Sequence, residues 1–149
     1  MNHSFKISND NNLPSEYRDY SIPAGILKTA KNVNSIAINS YPLDQNLLNE
    51  ITSLTSLKSL ELNYCDFGKD GNNLNFSKFK KLTQLTSLHL STYHFDRRAR
   101  GGELVEGQAF KGFPESFCNL KKLKELELNY GEISSLPSCI GQLRNLEKL

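Results

Sequence analysis

The sequence predicts an α/β fold of stacked repeats, a solenoid in which each repeat gives one short strand to a parallel sheet and one short helical segment to the other side. Three observations predict it. Aliphatic or aromatic residues recur at relative positions 1, 4, 6 and 11: Val33, Ile36, Ile38 and Leu43; Leu57, Leu60, Leu62 and Phe67; Leu85, Leu88, Leu90 and Phe95; Leu123, Leu126, Leu128 and Ile133. A half-pattern lies upstream of the copies, as Leu48, Ile51, Leu54 and Leu57, as Phe113, Pro114, Phe117, Leu120 and Leu123, and as Leu136, Pro137, Ile140, Leu143 and Leu146. The 149 residues suffice for one domain with a real core, but not for an eight-stranded β/α barrel.

Each element derives from these spacings. Positions 4 and 6 are two apart, so they share one face of a strand, while positions 3, 5 and 7 point the other way. The i, i+3 spacing of the half-pattern, often after a proline, suits a short helix or 3₁₀ turn running back. No copy can bury its apolar face alone, so stacking must supply the core. The copies begin 24, 28, 38 and 23 residues apart, so two are swollen by insertions. One insertion is the turn-rich stretch Gly68 to Asn73. The other is the basic, Gly-containing stretch Asp96 to Gly112, expected as an exposed loop.

The register resembles the leucine-rich repeat family, L-x-x-L-x-L-x-x-N/C-x-L, over about residues 30 to 149. Leu136-Pro137-Ser138-Cys139-Ile140-Gly141-Gln142-Leu143-Arg144-Asn145-Leu146 is similar to the L-P-x-x-I-G-x-L-x-x-L repeat of plant-type and intracellular signalling-scaffold members. The resemblance implies a right-handed solenoid with parallel strands on its concave face and short helices or 3₁₀ segments on its convex face. It departs from the family at position 9, normally Asn or Cys, where this chain has Tyr41, Tyr93 and Gly131 and only Cys65 fits. An irregular turn with compensating hydrogen bonds is expected there.

Residues 1–20 read as an N-terminal tail or a degenerate cap, with Phe5 and Ile7 able to stand at positions 4 and 6. The array reads as residues 21–149. A fifth copy opens with Leu146 and Leu149, so the array is expected to continue beyond the chain. The opening Met-Asn-His-Ser-Phe-Lys has no apolar stretch of signal-peptide length, which favours the cytoplasm, and no run reaches 18 apolar residues.

Charge is nearly balanced, 18 basic against 16 acidic, which gives no global polyanion signal; nucleic acid is not an expected partner. No nucleophile elbow, P-loop, HExxH or GxGxxG occurs. His89 and His94 fall on opposite faces of a strand and lack a third ligand. No catalytic, cofactor-binding or metal-ligating residue is therefore expected. The three cysteines are odd in number, which excludes a full disulfide framework. Cys65 reads as buried, and Cys118 and Cys139 as small helix-side residues.

What remains is a surface. Outward positions 5, 7 and 8 bring Glu61, His89 and Glu127, then Asn63, Ser91 and Asn129, then Tyr64 and Tyr130 side by side. A polar strip flanked by tyrosines suits protein binding, since Tyr supplies contact area with a hydrogen bond. The resemblance implies a non-catalytic protein-interaction module, free-standing or as the recognition arm of a larger kinase, receptor or ubiquitin ligase. A second surface is the Asp96–Gly112 insertion, whose Arg97, Arg98 and Arg100 could meet an anionic partner.

Overall fold

The computed structural model describes residues 4–8, 25–30, 32–41, 43–65, 67, 74–92, 96–98, 104–106, 112–129 and 133–149. Its main element is a five-stranded parallel sheet of β1 (Ser4–Ser8), β2 (Ser35–Asn39), β3 (Ser59–Cys65), β4 (Ser87–Thr92) and β7 (Glu125–Asn129), in that order. The strands pair in the register of the repeat: Phe5, Ile36, Leu60, Leu88 and Leu126 align at position 4, and Ile7, Ile38, Leu62, Leu90 and Leu128 at position 6. Phe5 and Ile7 thus belong to a further copy upstream of the four obvious ones.

Alternation does the sorting. Ile36, Ile38, Leu60, Leu62, Leu88, Leu90 and Leu126 are all completely buried. Helical segments close the other side of this core, namely α1 (Gln45–Ile51) and the 3₁₀ turns Ile26–Thr29, Phe76–Lys81, Glu115–Asn119 and Ser138–Gln142. Among the described residues only Gln45–Ile51 is a true α-helix. Asp44 caps it, its carboxylate accepting from the Leu47 N–H at 2.7 Å, and no proline interrupts its turns. Glu115–Asn119 and Ser138–Gln142 each begin after a proline and end after one turn or two. Gly25, at φ 86°, precedes Ile26–Thr29, and the Glu50 carboxylate accepts the Gly25 and Leu27 N–H groups.

Phenylalanines link the helical segments. Phe76 lies 5.3 Å from Phe79 and 5.8 Å from Phe117 between ring centroids, Phe79 lies 5.1 Å from Phe117, and Phe113 and Phe117 meet edge-on at 5.7 Å. Each such pair contributes about 0.5–1.5 kcal/mol beyond its buried area.

Two readings are corrected. Cys118 and Cys139 are not merely small helix-side residues; they form a disulfide between consecutive 3₁₀ turns, 21 residues apart in sequence. One odd cysteine, the buried Cys65, leaves the other two free to pair. The Asp96–Gly112 insertion is not all loop: β5 (Asp96–Arg98) and β6 (Leu104–Glu106) form a two-stranded antiparallel ribbon apart from the main sheet. The insertion at 68–73 lies outside the described residues.

Candidate functional site

Positions 5 and 7 of β3, β4 and β7 point away from the core by strand alternation, and parallel pairing sets them in two rows. Glu61, His89 and Glu127 align across the strands in one row. Asn63 and Asn129 stand in the other. With Tyr64 and Ser91 these strands enclose an open cleft of about 650 Å³ lined by Asn63, Tyr64, His89, Ser91, Glu127 and Asn129.

The cleft is cross-braced. Asn63 Nδ2 donates to Asn39 Oδ1 at 3.0 Å and to Glu61 Oε2 at 3.4 Å. Asn129 Nδ2 donates to Glu127 Oε1 at 3.0 Å and lies 3.4 Å from His89 Nε2. His89 Nδ1 stands 3.6 Å from Glu127 Oε2, and the Lys148 ammonium 3.2 Å from that oxygen. The Asn129 hydrogen bond, then the Lys148 hydrogen bond, then the charge of His89 hold the Glu127 carboxyl below its ordinary value. Glu127 is therefore a fixed anion at neutral pH.

The turn that ends β3, where position 9 is the conforming Cys65, is irregular. Leu62 pairs with Leu90, but the next pair is Cys65 with Thr92, so β3 spends one extra residue against β4. Such a bulge withdraws a backbone group from the ladder. Tyr64 sits in this turn at φ 52°, and its N–H is taken by the Ser91 hydroxyl at 2.8 Å. Cys65, at position 9, is buried, and its thiol reaches the Ile38 carbonyl oxygen at 3.5 Å.

The sequence-predicted residues divide accordingly. Glu61, Asn63, Tyr64, His89, Glu127 and Asn129 do share one face, and Tyr64 is 54% exposed. Ser91 is only 3% exposed, so it does not offer the open surface that alternation alone assigned; the bulge lays Tyr64 against Ser91, which forms the floor of the cleft. The Arg97 and Arg98 backbones belong to the β5–β6 ribbon. Tyr130 and Arg100 lie outside the described residues. Sequence reasoning misses Lys148 as a site residue. It stands at position 3 of the fifth copy, bridging to Glu125, so the Leu146 and Leu149 register already held the signal. Neighbouring strands bring a residue within reach of its partner two places on, which is how Lys148 meets Glu127.

No family model and no curated protein matches the chain. Solved structures do match. One is the leucine-rich repeat ectodomain of the Arabidopsis receptor kinase HAESA in complex with an N-terminally extended IDA peptide hormone ligand. It aligns at 23% sequence identity and TM-score 0.54, over 99% of this chain and 20% of its own. The fold is leucine-rich-repeat-like. That likeness and the five parallel strands agree on an α/β architecture. Among the described residues no helix is long and apolar enough to cross a membrane.

Proposed function

We propose that this chain is a non-catalytic protein-interaction module, a right-handed solenoid whose concave face takes an extended segment of a partner protein. The observation that carries the reading is the cleft itself: polar side chains from three adjacent strands, mutually braced, with an exposed tyrosine at the rim. Pre-braced side chains lose little freedom on binding, and Tyr gives contact area at low entropic cost. The structural neighbour, solved with a peptide ligand, supports a peptide-like partner. The Cys118–Cys139 bridge supports an oxidising compartment over the cytoplasm expected from the opening residues, since disulfides persist where thiols are not kept reduced.

Random peptide display against the immobilised chain tests this. Enriched peptides should bind the wild type and weaken at least tenfold on Tyr64→Ala and Asn129→Ala. They should bind Lys80→Ala and Lys122→Ala, substitutions on the helical side, as the wild type. Peptides indifferent to the first pair, or a failure to enrich any, would overturn the reading.

A further inference from the structure

One carboxylate of the cleft wall already pairs with a cation from its own chain. Lys148 reaches Glu127 Oε2 at 3.2 Å from the adjacent bridge, and its side chain is 64% exposed. An ammonium–carboxylate pair this open to solvent is weakly held and readily exchanged. Around that carboxylate stand the parts of a cation pocket. The Glu127 carboxylate is fixed in orientation by Asn129, and Glu61 adds a second carboxylate on the far side of His89. The Tyr64 ring lies exposed at the rim, and an aromatic face attracts a cation set over it. The site therefore combines a cavity, an aromatic face, an oriented carboxylate and a cation seated on it.

We propose that the partner segment presents an arginine side chain to this cleft, its guanidinium replacing the Lys148 ammonium on Glu127 beside the Tyr64 ring, with Lys148 as a built-in competitor. Arginine suits the site better than lysine because its planar group pairs with a carboxylate in two parallel hydrogen bonds and stacks on a ring at once. This rests on the concave-face reading and deepens it by naming what the face selects.

The probes are N-acetyl-arginine amide and its uncharged isostere N-acetyl-citrulline amide. They are titrated into the 149-residue chain and followed by the NMR shifts of the Asn63 and Asn129 side-chain amides. The arginine probe should move both signals saturably, and the citrulline probe should bind at least tenfold more weakly. Lys148→Met should tighten arginine binding several-fold, and Glu127→Gln should weaken it at least tenfold with shift dispersion elsewhere unchanged. Equal response to the two probes, no response to either, or Lys148→Met leaving arginine affinity unchanged overturns the proposal. Peptide display on Lys148→Met separates the levels. Enriched peptides that need Tyr64 and Asn129 but carry no arginine overturn this inference and leave the concave-face reading standing. Enriched peptides that ignore those residues overturn the reading itself.

Discussion

The centre of the sheet and its C-terminal edge are built from the same motif and differ in what covers them. In β3 and β4 the leucines at positions 4 and 6 are completely buried, because each strand has a paired strand on both sides. In β7 Leu126 is buried, but Leu128 is only partly so, and the turn Ser138–Gln142 buries no residue. Beyond β7 the pairing continues as a bridge of Glu125 with Lys148, held by Leu126 N–H to Lys148 O at 3.0 Å and Glu147 N–H to Lys124 O at 2.7 Å. The disulfide stands in this thin region, joining the turns Glu115–Asn119 and Ser138–Gln142. A repeat motif thus specifies geometry, while its neighbours supply the stabilisation.

The strongest test of that contrast is a charge placed at position 6. Leu62→Asp and Leu90→Asp should each cost more than about 4 kcal/mol and unfold the chain, because an unpaired carboxylate would sit in a dry core. Leu128→Asp should cost only about 1–3 kcal/mol, since its site is partly open to water. Urea melts of the three variants rank them. Equal losses would erase the distinction between centre and edge, which the repeat pattern alone does not draw.

Breaking the staple comes next. A closed loop of this length stabilises by about 3 kcal/mol in the chain-entropy account, so Cys118→Ser or Cys139→Ser should lower stability by that order. The loss should be local. Hydrogen exchange at the Leu126, Glu147 and Lys148 amides should accelerate while Leu60 and Leu88 keep their protection, and a reductant should reproduce the effect on the wild type. Uniform acceleration would show that the edge does not open separately.

Ser91→Ala removes the acceptor for the half-buried Tyr64 N–H and should cost about 0.5–1.5 kcal/mol, the usual net contribution of a hydrogen bond. Calorimetry measures this directly, and a neutral result would remove the hydroxyl from the account of the turn. Glu61→Ala and His89→Ala, on the open face one residue from the core Leu62 and Leu90, should stay within about 0.5 kcal/mol of wild type.

The smallest effect is electrostatic. Glu127 ionises more readily in the folded chain than its ordinary value of 4.5 allows. Its contribution is therefore present above that value and is lost as pH falls through the lower folded value. Its carboxyl carbon should titrate with a midpoint below 4.5 by NMR. Asn129→Ala and Lys148→Met should each move the midpoint up, since both groups lower it. A midpoint unmoved by either substitution would remove that group from the support of the carboxylate.

Much of the fold is legible in the chain. Position 4 and 6 residues such as Leu60 and Leu88 can be assigned because strand alternation is a two-residue rule that needs no distant information. The same rule places Glu61, His89 and Glu127 in one row. It fails at Ser91, an outward position that is nonetheless buried, because the bulge in β3 lays Tyr64 against it and a bulge depends on how two strands meet. Lys148 escapes it because its partner lies on another strand, 21 residues away.

The sequence by itself determined the period, the identity of the core residues and the polar character of the open face, since each derives from spacing within one copy. Tertiary structure alone decided which copies are well covered, that Cys118 meets Cys139, that Ser91 serves the Tyr64 backbone, and that Lys148 closes on Glu127. Those outcomes turn on distances between residues from different copies. No single repeat encodes such distances; they exist only once the strands have stacked in register.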